Sequence, residues 1–360
     1  MLDLNELLRF LVEQRGSDLH LKVGSPPHVR IDGHLQAAPF DIVGAQDTER
    51  MAFAIMPKDR ADEFMASSEA DFAHSLAGLG RFRVNAFRQR GSVGLVFRRV
   101  LPGTPSFESL GLPPVVARLA EEPRGLILVT GPTGSGKTTT IASMIEHINE
   151  TRACNVVTIE DPIEFLFQDK KALINQREIG SDTEDYAEAM RRVLRQDPDV
   201  IFVGEMRDPE TVWAALSAAE TGHLVLSTLH TTNATETVNR IVDFFPPFQH
   251  KQIRYTLASA LRGVVSQRLL ERADGKGRVP ATEVLVMTGR VQDRVLDPEL
   301  GDESIEEIIA DGEYYGMQTF DQSLFNLYKN GLVSLRDAMA VASHPHDFRL
   351  ALQAAGLTAL

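Results

Sequence analysis

The chain has 360 residues, 43% of them hydrophobic and 24% charged, which supplies apolar side chains for about two domain cores. Its formal net charge of −13 excludes a general attraction to nucleic acid or to anionic lipid, although a local basic groove stays open. A single cysteine, Cys154, excludes an intrachain disulfide and a cysteine-built zinc cluster. Asp3, Glu6 and Arg9 interrupt the first apolar residues, so no leader peptide is expected. Nor does any 18-residue apolar run predict a membrane span.

Leu4, Leu7, Leu8 and Leu11 recur at helical spacing and predict an opening amphipathic helix. Alternation over Asp18–Val23 predicts a strand, and Val29–Ile31 with Leu35 predicts a pair joined by the turn Asp32-Gly33. Glycine-punctuated runs at Asp71–Leu76, Arg81–Phe87 and Val93–Val100 predict further strands. Residues 1–100 are therefore expected to form a small α+β domain around an antiparallel sheet. Pro102, Gly103 and Pro105 break both regular structures, and a linker is expected over 101–115.

The arginines Arg81, Arg83, Arg88, Arg90, Arg98 and Arg99 crowd one hairpin region of this acidic chain. Arg81 and Arg83 alternate with Phe82 and Val84, so both point off the apolar face. Three readings stay open: a nucleic-acid surface, a solvated basic face, or guanidinium forks delivered to a phosphate. Such an arginine finger is worth roughly 10³–10⁵ in rate. The overall charge weighs against nucleic acid.

From Gly125 the pattern changes to apolar strands at 126–130, 156–159, 200–203 and 224–229, with helical stretches between them. This alternation predicts a parallel sheet with crossover helices over 116–288. After about residue 245 the chain reads as helical, with Gly275-Lys276-Gly277 as a turn, and 289–360 is expected to be a C-terminal helical segment.

Each of the four strands ends in a chemically loaded segment, and ligands of such sheets bind at those carboxyl ends. After the first strand comes Gly131-Pro132-Thr133-Gly134-Ser135-Gly136-Lys137-Thr138, a complete phosphate-binding loop. Glycines let the backbone turn and aim N–H groups at phosphate oxygens. Lys137 can reach the β- and γ-phosphates, and the Thr138 hydroxyl can ligate Mg²⁺. Ile141, Met144, Ile145 and Ile148 then mark one face of a following helix.

The second strand ends in Glu160-Asp161-Pro162-Ile163-Glu164, a candidate for positioning metal and water. The third ends in Gly204-Glu205, where a metal-binding Asp often stands in the Gly204 place. Glu205 can orient a water and accept its proton, or hold Mg²⁺ through water. His223 opens the fourth strand and His230 closes it. Seven residues apart, they lie roughly 20 Å apart with opposite parity, so they cannot share a metal. His230 falls at the active end, where it could sense a γ-phosphate.

These segments together resemble the type IV pilus retraction ATPases, the PilT/PilU family of secretion-superfamily motors. The resemblance rests also on Gly16-Ser17-Asp18-Leu19-His20, Gly80-Arg81-Phe82-Arg83-Val84-Asn85, Asn175-Gln176-Arg177-Glu178, Glu220-Thr221-Gly222-His223-Leu224 and Gly316-Met317-Gln318-Thr319-Phe320-Asp321-Gln322. It implies a PAS-like N-terminal domain, a RecA-like ATPase domain, a homo-hexameric ring and nucleotide bound between the domains. It implies that Lys137 and Thr138 are the Walker A pair, Glu164 the Asp-box glutamate, Glu205 the catalytic glutamate, and His223 and His230 the His-box residues. Arginines of the N-terminal strands, with Arg83 and Arg98 the candidates, would supply phosphate contacts.

The cofactors implied are ATP and Mg²⁺. The implied partners are an inner-membrane pilus platform protein and related pilus ATPases, and no nucleic acid is expected. The implied location is the cytoplasm, at the inner face of the membrane. In place of the family's Ala-Ile-Arg-Asn-Leu-Ile-Arg, this chain reads Gly289-Arg290-Val291-Gln292-Asp293-Arg294-Val295. The expected function is pilus retraction. The rivals are a RecA-like nucleic-acid translocase and an accessory pilus ATPase without retraction activity of its own.

Overall fold

The computed structural model describes residues 2–31 and 33–357. Its contacts divide the chain into two compact units, Met1–Gly103 with Ile163–Leu166, and Thr104–Pro162 with Phe167–Leu360.

In the first unit the chain runs α1 (Leu4–Glu13), β1 (Asp18–Leu21), β2 (His28–Ile31), β3 (His34–Ala37), α2 (Ala45–Ile55), α3 (Lys58–Ser67), β4 (Glu69–Leu76), β5 (Gly80–Gln89), β6 (Ser92–Arg99) and the short β7 (Leu101–Pro102). The six longer strands form one antiparallel sheet in the order β3-β2-β1-β6-β5-β4. The leucine stripe of α1 is fully in the core, with Leu7, Leu8 and Leu11 at 0% exposure beside Leu19, Phe64, Phe82 and Phe97. Asp3 starts that helix by accepting the Asn5 N–H at 2.8 Å, which satisfies one of its unpaired donors. The predicted β2–β3 turn forms around Gly33, whose φ of 83° suits glycine. Asp32 of that turn lies outside the described residues.

The second unit begins with α4 (Phe107–Leu110) and α5 (Pro114–Ala120), then β8 (Gly125–Thr130), α6 (Lys137–Thr151) and β9 (Asn155–Glu160). The pair Phe165–Leu166, β10, runs parallel to β7 and belongs to the first unit. There follow β11 (Leu173–Glu178), α7 (Tyr186–Val193), β12 (Val200–Val203), α8 (Pro209–Glu220), β13 (Leu224–Leu229), α9 (Ala234–Asp243) and α10 (His250–Ala260). The unit closes with β14 (Leu261–Glu271), β15 (Arg278–Val286) and α11 (Gly289–Leu296), α12 (Ile305–Ala310), α13 (Phe320–Lys329), α14 (Leu335–Val341) and α15 (Pro345–Ala354).

Seven strands form its sheet in the order β11-β9-β12-β13-β8-β14-β15. All neighbours are parallel except the β14–β15 pair. β8 and β13 are buried along their whole length because helices cover both faces. Ile127 and Val129 meet Ile141, Met144 and Ile145 of α6, while Leu126 and Leu128 join a core with Val212 and Leu216 of α8. This is the mixed α/β class that the four apolar runs predict.

The region after 245 is not uniformly helical. Gly275 and Gly277, at φ 69° and 85°, turn between two strands rather than two helices. The cause is burial on both faces: Val264 enters one core and Val265 the other, as β14 pairs with β8. A run apolar on both faces carries no period to separate strand from helix. Beyond the hairpin, α13 to α15 pack their own cluster, Phe320, Leu324, Phe348 and Leu352, against Leu270, Val279 and Ala281.

Candidate nucleotide-hydrolysis site

The phosphate loop spans the gap between the end of β8 and the start of α6. Gly131 (φ 141°) and Gly136 (φ 92°) hold backbone conformations open to glycine, and Gly136 caps the helix in the left-handed form. A side chain at Gly131 would lie 2.5 Å from the Gln267 carbonyl and 2.6 Å from Ser135 Oγ. Lys137, 9% exposed, donates from Nζ to the carbonyls of Gly131 (2.8 Å) and Pro132 (3.1 Å), so its ammonium lies over the loop. Pro132, Thr133 and Gly134 are exposed at the rim, and Thr138 is half-buried in the first turn of α6. Ser135 Oγ is buried and has no protein partner. A helix N-terminus, a cationic Nζ and an orphaned hydroxyl together fit a polyphosphate.

Glu205 follows β12, next in the sheet to β13, which ends just before His230. Its two oxygens are divided between two partners. Oε1 lies 3.0 Å from His230 Nε2, and Oε2 accepts from Arg207 Nε (2.8 Å) and Nη2 (2.7 Å). Arg207 also reaches Asp161 at 3.8 Å. The Glu205 side chain is 17% exposed and His230 is 52% exposed, so the carboxylate is sheltered while the imidazole faces out. Glu160, at the end of β9, is buried and accepts from Thr158 Oγ1 (2.7 Å) and Gln176 Nε2 (3.0 Å).

Two groups here escape sequence reasoning. Tyr186 opens α7, and a side chain at Gly204 would stand 2.7 Å from its hydroxyl. Burial, then the carboxylate of Asp161, pushes the Tyr186 phenol well above its usual range, so it stays a neutral donor. Arg207 is the other: it stands two residues after Glu205, a spacing that does not fix the direction of its side chain.

His223 is not brought to the loop. It immediately precedes β13, its carbonyl accepting the Gly125 N–H at the opposite end of the sheet, and its Nδ1 lies 2.9 Å from the Ala218 carbonyl at the end of α8. Six strand residues put it about 20 Å from the phosphate loop. Within one chain it closes a helix end, and its expected nucleotide contact finds no support in this geometry.

The remaining candidates lie in the first unit. Phe82 and Val84 of β5 are in its core, so Arg83 stands on the other face, directly across from Arg98 of β6. Arg83 Nη2 lies 3.5 Å from Glu164 Oε1 and 3.3 Å from the Ile163 carbonyl. Glu164 thus belongs to the first unit, on a segment whose chain neighbours belong to the second. Arg98 Nε donates to Asp18 Oδ1 at 2.9 Å. Burial opposes the Asp18 charge, but hydrogen bonds from Ser17 and Arg98 outweigh it and hold the carboxyl below its usual range. Of the other arginines, Arg88 stacks on Phe64 at 5.2 Å and Arg90 takes a turn conformation at φ 51°.

A phosphate loop opening a helix at the carboxyl end of a parallel sheet defines a P-loop nucleotide-binding protein. The family model described as type II/IV secretion system protein matches residues 104–313. The type IV pilus retractation ATPase PilT of Pseudomonas aeruginosa is 42% identical over 96% of this chain and 100% of its own. The type IV pilus ATPase PilU of the same organism is 38% identical, over 98% of this chain and 92% of its own. A crystal structure of the pilus retraction motor PilT with bound ADP superposes with a TM-score of 0.87 at 46% identity, covering 96% of this chain and 99% of that one. The chain belongs to the PilT/PilU family of secretion ATPases.

Proposed function

We propose that this chain is a Mg²⁺-dependent, homo-hexameric ATPase that drives retraction of a type IV pilus from the cytoplasmic face of the inner membrane, acting on a platform protein there. The observation that carries the reading is Glu205, sheltered and held by both oxygens at the end of β12, with β13 between it and the strand that carries the phosphate loop. A carboxylate so fixed is oriented to align a water and take its proton.

In this reading Gly131 to Gly136 cradle the phosphates, Lys137 offsets their charge, and the Thr138 hydroxyl binds the metal. Among the described residues no three His, Cys, Asp or Glu side chains gather as a metal cage. Mg²⁺ in ATPases binds mainly through nucleotide phosphates and water with one or two protein ligands, so Thr138 with Glu205 suffices for the protein's share. Bound Mg²⁺ would neutralise phosphate charge. His230, partner to Glu205, senses the γ-phosphate. Arg83 and Arg98 are cationic groups for the phosphates, and Glu164, paired with Arg83, positions the Arg83 fork.

The test is Glu205→Gln in the full chain. ATP binding should persist while turnover falls by about 10²–10⁴-fold, the worth of a positioned general base. Near-normal hydrolysis in this variant removes Glu205 from the role. Retraction of pili in cells with this chain as sole motor distinguishes a motor from an accessory ATPase.

A further inference from the structure

Glu283 of β15 is 5% exposed, a rare position for a carboxylate. Its Oε1 accepts the backbone N–H of Ala234, the first residue of α9, at 2.7 Å. Burial pushes its carboxyl up to about 7. Around it stand Arg268 of β14, Glu306 of α12 and Asp321 of α13, whose carboxylates His344 approaches at 3.4 and 3.7 Å.

The first N–H groups of α9 have no partner within the helix, and Glu283 satisfies one of them. Asn233 already caps α9, its side chain accepting the Glu236 N–H at 2.8 Å. What Glu283 adds is a tie across 49 positions of sequence, from the edge strand of the sheet to the start of a helix. That start is tied by side-chain hydrogen bonds to the turn after His230. Thr231 Oγ1 meets Thr237 Oγ1 at 2.7 Å, and Glu236 accepts from the Thr232 N–H and hydroxyl at 2.8 and 2.6 Å. The turn therefore moves with α9, and His230 moves with the turn.

We infer that Glu283 is a positioning residue of the hydrolysis site, holding the start of α9 so that His230 stays against Glu205. This rests on the role proposed above for His230. It makes the β14–β15 hairpin, and the C-terminal helices packed on it, a support for the site.

The test is a double-mutant cycle in the full chain, reading kcat and KM for ATP hydrolysis together with melting temperature. Glu283→Ala should lower kcat about tenfold, as a displaced catalytic partner does, with KM for ATP nearly unchanged. Glu283→Gln keeps an acceptor for Ala234 and should recover most of that loss. In a His230→Ala background Glu283→Ala should cost nothing further, because the group it positions is gone. An equal loss in both backgrounds, or full kcat in a folded Glu283→Ala chain, overturns the inference while leaving His230 in place. Full kcat in His230→Ala alone overturns the role of His230 and this inference with it. Should Glu283→Ala fail to fold, Glu283→Asp withdraws the oxygen by one methylene and serves the same cycle.

Discussion

Arg207 grips Glu205 with two nitrogens, at 2.8 and 2.7 Å, on the oxygen that His230 does not take. A planar fork is pre-organised for this grip, and a lysine ammonium is not. Arg207→Gln should therefore lower kcat roughly tenfold and leave KM for ATP within about twofold, since it disturbs an orienting contact and not phosphate binding. Arg207→Lys should recover only part of the loss. Steady-state kinetics check this, and an equal rise in KM would mark Arg207 as a nucleotide ligand. The sequence identifies Glu205 from its place at a strand end. The division of its two oxygens depends on side-chain directions across β12 and β13, which spacing along the chain does not encode.

Gly204 follows β12 directly, where Tyr186 of α7 leaves no room for a side chain. A Cβ at that position would lie 2.7 Å from the Tyr186 hydroxyl and 3.2 Å from the Ile159 carbonyl. Gly204→Ala should destabilise the chain by about 1–3 kcal/mol, the cost of overpacking, and an Asp there should cost more. Removing the hydroxyl with Tyr186→Phe should make the Gly204→Ala change cheaper, a coupling that melting temperatures of the four chains would measure. Additive losses would mean the contact does not limit the position. Other elements were plain in the sequence: α1 and α6 from apolar stripes, and β8, β9, β12 and β13 from short apolar runs. The β14–β15 hairpin was not, because residues buried on both faces lose the alternation that marks a strand.

Across the whole molecule, a net charge of −13 opposes capture of a polyanion. ATP turnover should therefore be indifferent to added DNA at physiological salt, and DNA should not be retained. DNA-stimulated turnover that declines steeply with salt would favour a translocase over a pilus motor.

At the same scale, the return of Ile163–Leu166 to the first unit places Glu164 beside Arg83, 81 positions earlier in the chain. No local pattern announces such a contact. What the sequence alone determined is the chemistry at each strand end: a phosphate loop, acidic groups and a histidine follow four apolar runs, and parallel sheets put those ends on one edge. Tertiary structure alone decided the distant partners: Glu205 with His230, Arg83 with Glu164, and Glu283 with the start of α9. The reason is physical. Period and turn residues act over a few positions, whereas a hydrogen bond between groups far apart in the chain exists only once packing has brought them within about 3 Å.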